Sequence, residues 1–135
     1  MSYQNVLDGL QDALETLSGP VAVLQYEPPA FDDLPLIYLL FDRFTDATLG
    51  QVRGTRYYVT IRLIVRWQDN EEAEKEIIPY IDSIPAAVHA DRSLGGLLAS
   101  GLAHISGAEG GFVDVGTVRY RVVDFVADVL DKTVT

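Results

Sequence analysis

The sequence predicts an α+β domain, with a mostly antiparallel or mixed β-sheet on which an N-terminal helix and a central helix pack. Two observations support this fold class. Helix and strand patterns follow one another along the chain in the order helix, strands, helix, strands. The chain has 135 residues, 48% of them apolar and 22% charged, which is typical of one globular domain with a sizeable core. We therefore expect a single domain over residues 1–135.

The first predicted elements are a helix and a short strand. Residues 4–18 carry apolar side chains at helical spacing, which predicts an amphipathic helix. Gly19 and Pro20 should end it, because glycine suits a left-handed cap and proline cannot continue a helix. Residues 21–26 are a strand candidate, and a proline-containing loop follows them.

Two longer strands come next. Residues 36–44 are apolar on both sides, as expected of a strand near the middle of a sheet. Residues 55–67 have a large apolar residue at every second position from Tyr57 onwards, which predicts one core-facing side and one outward side carrying charge. The core-facing positions are Tyr57, Val59, Ile61, Leu63, Val65 and Trp67.

The segment between these strands, residues 45–55, contains two glycines and mixed polarity. It predicts a hairpin connection longer than usual, and long loops in compact domains are often functional. We expect it to face a lumen or a neighbouring molecule. Its candidate contact residues are Thr45, Asp46, Thr48, Gly50, Gln51 and Gly54.

A central helix is predicted over residues 70–90. Asp69 is a good N-cap, and Glu72 lies three positions later, as in a capping box. Pro79 and Pro85 each delete a helical hydrogen bond, so the helix is expected in two or three pieces.

The C-terminal third predicts more β structure. A turn at 91–96 precedes a weak strand at 97–106 and a glycine-rich loop at 107–111. Residues 112–131 are rich in β-branched and aromatic side chains, with a turn or bulge at Gly116. The apolar phase shifts near Val122 and Val123, which suggests a bulge or a change of neighbours.

Charge is unevenly distributed in this acidic chain, whose net charge is −10. Four arginines lie between residues 51 and 67 without an acid among them, and acidic segments flank them on both sides. This pattern suggests pairing with the chain's own acidic helix or with a neighbouring subunit, and it disfavours general nucleic-acid binding. Tyr58 shares the arginine face, either as an interface anchor or in a cation–π pair. The candidate interface residues are Arg53, Arg56, Tyr58, Arg62, Arg66, Glu71, Glu72 and Glu74.

No motif in the sequence predicts catalysis, a cofactor or a metal. Cysteine is absent, which excludes a thiolate nucleophile or zinc site. His89 and His104 lack zinc-motif spacing, and the glycines match neither a P-loop nor a dinucleotide fingerprint, so they are expected in turns. The most apolar segment, at 34–41, is too short to span a bilayer.

The order of features resembles the tail terminator, or tail-completion, proteins of long-tailed phages and phage-derived gene transfer agents. The resemblance covers residues 3–130 and comprises five successive stretches. These are "EPPAFDDLPLIYLLF", "YYVTIRLIVRW", "NEEAEKEIIPYIDSI", "ADRSLGG" and "GTVRYRVVDFVADV".

The resemblance implies a non-enzymatic virion protein without a cofactor. It implies a homo-hexameric ring that caps the finished tail tube, stops its polymerisation and docks the neck or head-completion protein, while DNA passes through its centre. Two alternatives stay open: a head–tail connector or neck component, and a small cellular α+β ligand-binding domain or enzyme.

Overall fold

The computed structural model describes residues 3–48, 50, 52–95 and 102–134 and has two helices and five strands in these ranges. This is the predicted α+β fold. The elements in chain order are α1 (Tyr3–Leu14), β1 (Ala22–Leu24), β2 (Leu36–Asp46), β3 (Val52–Arg66), α2 (Asn70–Ala90), β4 (Leu102–Val115) and β5 (Val118–Val134).

The five strands form one mixed sheet in the order β1-β2-β3-β5-β4. β1 pairs with β2 in parallel, through three residues only, whereas β2–β3, β3–β5 and β5–β4 are antiparallel. β3 and β5 therefore lie at the centre of the sheet and are its longest strands. β2, expected near the middle, has a second neighbour only along its first three residues.

Both helices cover the same face of the sheet, which we call the helix face. The main core lies between this face and the helices. The odd-numbered residues from Val59 to Val65 of β3 and from Val123 to Val129 of β5 point towards the helices and are apolar. Its fully buried members include Val6, Leu10, Leu14, Ile37, Leu39, Val59, Ile61, Leu63, Ile84, Val88 and Phe125.

The opposite side of the sheet, which we call the open face, has a second and smaller core. Phe31, from the loop between β1 and β2, stacks on Tyr38 with ring centroids 6.0 Å apart and meets the edge of Tyr120 at 5.1 Å. Ile64 and Val122 are buried in this cluster. The expectation that only one side of β3 is buried is therefore wrong at its C-terminal end, where the loop covers the second side.

α1 is shorter than predicted and ends at Leu14 instead of residue 18. The next turn tightens, because the N–H groups of Thr16 and Leu17 bond to carbonyls three residues back. The Thr16 hydroxyl also donates to the carbonyl of Ala13 at 2.7 Å. A competing side-chain bond of this kind draws the backbone out of the helix before the glycine and proline are reached.

The predicted long loop at 45–55 is wrong. β2 continues to Asp46 and β3 begins at Val52, so the connection is only residues 47–51, an ordinary hairpin length. Thr45 pairs with Arg56, and Asp46 with Thr55. The polar sequence here belongs to the end of β2, which is exposed on both faces, and to the partly exposed start of β3, so the apolar alternation used to recognise a strand is missing.

α2 is one continuous helix, so the prediction that Pro79 and Pro85 break it is also wrong. Its apolar stripe, which includes Ala73, Ile77 and Ile84, is buried against the sheet. Pro79 is exposed, so the carbonyl that loses its helical partner can bond to water. Packing of the buried stripe holds the helix together across both prolines.

β4 crosses the predicted loop at 107–111 without interruption. Gly107, Gly110 and Gly111 are strand residues and not turn residues, whereas Gly116 does lie in the predicted turn, with φ of 63°. The bulge of this hairpin lies between Ile105 and Gly107, not at 122–123. Val122 and Val123 are adjacent apolar residues because each faces a different core. Residues 97–101 of the predicted weak strand lie outside the described residues.

Candidate functional site

The arginines of β3 that the sequence singled out as an interface lie mainly on the open face. Arg56, Tyr58 and Arg62 share this face because they are even-numbered residues of one strand. Their cross-strand neighbours on β5 are two aspartates: Asp124 stands opposite Arg62, and Asp128 stands opposite Tyr58 and beside Arg56.

Arg62 forms a bidentate ion pair with Asp124. Its Nε and Nη2 donate to the two carboxylate oxygens at 2.7 and 2.9 Å. These hydrogen bonds raise the pKa of Arg62, so it stays charged. Its guanidinium lies 6.0 Å from the ring centre of Tyr38, and burial raises the pKa of that phenol. Arg62 thus stabilises the second core by neutralising a partly buried aspartate.

Asp128 is the only charged residue found buried in the described part of the chain, with 7% of its surface exposed. Its Oδ1 lies 3.4 Å from Arg56 Nε, and its Oδ2 lies 3.9 Å from His104 Nε2. The Arg56 contact is an ion pair without hydrogen-bond geometry, since neither Arg56 Nε nor Asp128 Oδ1 has a bonded partner. Electrostatic attraction, without a hydrogen bond, therefore holds Arg56 beside Asp128.

The other open-face positions are more exposed. Arg43 of β2 lies over the ring of Tyr58, 4.3 Å from its centre, so Tyr58 takes part in a cation–π contact. Arg66, at the end of β3, is exposed and has no carboxylate within ion-pair distance among the residues that the structure describes. Arg53, by contrast, is an odd-numbered residue of β3 and lies on the helix face, where it lines a shallow cleft beside the hairpin together with Asp46 and Asp131.

The predicted acids of α2 do not meet these arginines. Glu71 pairs with Lys75 one turn on, at 3.0 Å, and Glu72 uses its backbone N–H to donate to the capping carboxylate of Asp69 at 2.9 Å. Glu74 bonds instead to Arg121 of β5, with 2.9 Å between Arg121 Nε and Oε1. For Arg56 and Arg62, the acids that bind them belong to β5 of the same chain, an arrangement that neither sequence interpretation included.

Sequence reasoning missed Arg121. Its side chain lies on the helix face, 4.9 Å from the ring centre of Phe112, and donates to the carbonyl of Gly111 at 2.8 Å. A Cβ on Gly110 would lie 3.0 Å from its guanidinium, so the guanidinium crosses the strand over this glycine. The sequence did contain a signal for Arg121, because it is a charged residue at a position of β5 where alternation predicts a core-facing side chain.

The hairpin candidates fall into two groups. Thr45, Asp46 and Gly54 are strand residues, whereas Thr48 and Gly50 lie in the connection, and Gln51 is outside the described residues. The N–H of Thr48 donates to Asp46 at 2.8 Å, and hydrogen bonds from Thr48 lower the pKa of Asp46. The turn is therefore held by its own polar side chains.

An exposed aromatic cleft lies beside this hairpin on the helix face. It encloses about 500 Å³ and is lined by Tyr3, Phe41, Phe44, Thr55 and Tyr57. Phe41 and Phe44 are 56% and 63% exposed, although Tyr3 meets Phe41 edge-on at 5.2 Å. Among the residues lining the cleft, Tyr3 alone belongs to a helix. Sequence reasoning assigned both residues to a buried strand.

No group of three histidine, cysteine, aspartate or glutamate residues that could hold a metal occurs in the ranges that the structure describes. His89 is used otherwise, as its Nε2 accepts the N–H of Ile105 at 3.1 Å. None of the described helices is both long and apolar enough to cross a membrane.

No protein-family model matches this chain, and comparison with curated proteins finds no significant match.

Proposed function

We propose that this chain is the tail terminator of a phage-like particle. Six copies form a ring that caps the head-proximal end of the tail tube, stops its polymerisation and docks the neck or head-completion protein. It acts in the virion as a structural protein, without enzymatic activity or a cofactor. Its supports are the resemblance over residues 3–130 and the α+β fold.

The observation that best supports assembly into a ring is the exposed aromatic cleft. Phe41 and Phe44 lie next to each other on the helix face with more than half of each side chain in solvent. Contiguous exposed apolar patches on a soluble chain mark interaction sites more often than chance. A ring needs a second, different patch that receives the first, because its contacts are head-to-tail.

The acidity of the chain fits a DNA passage. A net charge of −10 repels phosphate, so DNA can move through a ring of such subunits without being held. The pairing of Arg56 and Arg62 with β5 aspartates further reduces the positive charge available to DNA.

The direct test is electron microscopy of the purified chain mixed with isolated tail tubes. We expect a six-fold ring at one end of each tube and tubes that no longer grow when tube protein is added. Binding to filled heads and not to tubes would favour a neck component. No binding to either particle would overturn the proposal.

Charge reversal tests whether the arginines meet a partner. Arg62→Glu is a poor probe, because it places two carboxylates together within one chain. Arg66→Glu is a better one, since Arg66 is exposed and has no ion pair within the described part of the chain. If Arg66 contacts the tube or a neighbouring subunit, the variant should cap tubes less well while its thermal unfolding is unchanged.

A further inference from the structure

In the part of the chain that the structure describes, two long strands, β2 and β4, have an edge without a strand neighbour over most of its length. β1 pairs with β2 only as far as Tyr38, so β2 from Leu39 onwards has β3 as its single neighbour. On the opposite side, β4 has β5 as its single neighbour. The end of α2 covers only the start of β4, where Arg92 and His89 accept the N–H groups of Ala103 and Ile105.

The outward backbone groups of β2 can be assigned from two hydrogen bonds. The carbonyl of Pro35 accepts from Val21 on the β1 side, whereas the N–H of Ala47 bonds to Gly54 on the β3 side. Backbone groups alternate between the two sides of a strand, and the bulge after Phe41 shifts this alternation by one residue. Phe41 and Phe44 therefore both direct their N–H and C=O groups outward.

The same reasoning applies to β4. Ala103 donates its N–H outward to Arg92, and the bulge between Ile105 and Gly107 again shifts the alternation. Ala108 and Gly110 then have outward backbone groups. Among the described residues, no backbone or side-chain group bonds to these outward positions of β2 or β4.

Side chains beside the two edges are complementary. On the helix face, β2 exposes Phe41 and Phe44, and β4 presents the small residues Ala108 and Gly110. On the open face, β2 carries Arg43 and β4 carries Glu109. Neither charged residue has an ion pair among the described residues.

We propose that the exposed edge of β2 pairs antiparallel with the exposed edge of β4 in a second copy of this chain. Setting Arg43 opposite the second copy's Glu109 places Phe44 opposite Ala108. Because the bulge between Phe41 and Arg43 adds one residue to β2, Phe41 then lies opposite Gly110. In this register outward backbone groups meet outward backbone groups. The ring of Phe44 covers the small side chain of Ala108, and the ring of Phe41 lies against Gly110 and the Arg121 guanidinium that crosses it.

The pairing also relieves a repulsion within one chain. Glu109 stands directly opposite Asp124 on the open face, and like charges in this position destabilise a sheet. Asp124 is neutralised by Arg62, which leaves Glu109 with an unbalanced charge. An incoming Arg43 supplies the missing cation.

The contact is head-to-tail, because it joins opposite edges of the sheet, so repetition leads to a closed ring or an open helix. The inference deepens the ring assembly proposed above, but it is tested on the purified chain without tail tubes. Failure of the edge contact and failure of tube capping are thus separate results.

The test is charge exchange followed by sedimentation velocity or native mass spectrometry. Wild type should self-associate. Arg43→Glu and Glu109→Arg should each weaken self-association about tenfold, because each creates a like-charged pair at every contact. An equimolar mixture of the two variants should assemble again, since every contact between the two kinds of chain then joins opposite charges.

The matched control is Asp82→Arg, which makes the same charge change as Glu109→Arg on the exposed side of α2 and should leave assembly unchanged. A mixture that stays as dissociated as the single variants would overturn the proposal. So would single variants that assemble like wild type, or a wild-type chain that remains monomeric at all concentrations and leaves the edge to a strand of another protein.

Backbone pairing is tested separately at Phe44. Phe44→Pro removes an outward N–H, a change that an edge strand tolerates, whereas Phe44→Ala removes only the ring. The proline variant should abolish assembly and the alanine variant should only weaken it, with circular dichroism of both matching wild type. Equal assembly by the two variants would show that the edge is not hydrogen-bonded to a second copy.

Discussion

The two faces of the sheet are built from the same strands but are stabilised differently. On the helix face, Ile61, Leu63 and Phe125 are completely buried under two helices. On the open face, the adjacent residues Arg62 and Asp124 form an ion pair that is partly exposed to solvent. Apolar burial supplies most of the stability on the first face, whereas charge pairing mainly orders the second.

The difference shows where each face is available for contact. A face covered by helices has little left to offer a partner, except beyond the helices at the aromatic cleft. On the open face Arg56 and Arg62 are paired with aspartates of β5, so these two arginines are less available to a partner than the sequence suggests. The groups that remain available to a partner are at the strand edges, where backbone N–H and C=O groups and the Glu109 carboxylate lack partners among the described residues.

The largest expected effect contrasts two neighbouring residues on opposite faces. Phe125→Ala should lower the free energy of unfolding by about 3–5 kcal/mol, because it leaves a cavity in the main core. Val126→Ala, which lies next to it on the open face and is only half-buried, should cost no more than about 1 kcal/mol. Urea unfolding of both variants measures the contrast, and equal losses would contradict it.

The next effect concerns the helix that covers the main core. Asp69→Ala should destabilise the protein by about 1 kcal/mol, since the N–H of Glu72 loses the carboxylate it bonds to at 2.9 Å. Asp69→Asn, which keeps an acceptor oxygen, is the control and should cost much less. An equal decrease in the midpoint temperature of thermal unfolding in both variants would exclude a capping role for Asp69.

A smaller effect is expected for the ion pair of the open face. In a double-mutant cycle with Arg62→Met and Asp124→Asn, the coupling energy should be about 0.5–1 kcal/mol, because both side chains are partly solvated. The more exposed pair of Arg119 and Asp114 provides the comparison and should couple less strongly. A coupling energy indistinguishable from zero for Arg62 and Asp124 would show that their ion pair does not help to order the open face.

The smallest expected effect is a change in the pKa of one side chain, Asp46 in the hairpin. The pKa of Asp46 is held below the ordinary aspartate value by hydrogen bonds from Thr48, so Thr48→Ala should raise it towards that value. A lowered pKa in the folded state stabilises the hairpin above the ordinary value, and this contribution disappears as the pH falls through the folded value. Carboxyl chemical shifts in an NMR titration report both pKa values, and identical titrations in the two proteins would contradict the assignment.

Local signals predicted several features correctly. The core-facing side of β3 from Val59 to Val65, the cap at Asp69 and the turn at Gly116 are each encoded by a few adjacent residues, and the structure confirms them. A hairpin was predicted at 45–55, but the strand residues at its two ends were missed, as was the strand at 107–111, because exposed strands lose apolar alternation and glycine is read as a breaker. Their strand conformation depends on ladder bonds to β3 and β5, which are distant in sequence.

The candidate site was predicted only in part. The arginines were found, but their partners Asp124 and Asp128 were not, because strand register sets which residues face each other. The aromatic cleft was missed since Phe41 and Phe44 belong to a strand whose first half is buried and whose second half extends past the helices.

The sequence by itself determined the α+β class, the buried side of β3 and the start of α2, because periodicity and capping act over a few residues. Tertiary structure decided that α2 stays whole across two prolines, that Arg56 and Arg62 pair with β5, and that β2 and β4 keep open edges in the described part of the chain. These outcomes depend on which segments pack side by side, and the energies of burial and register override local preference there.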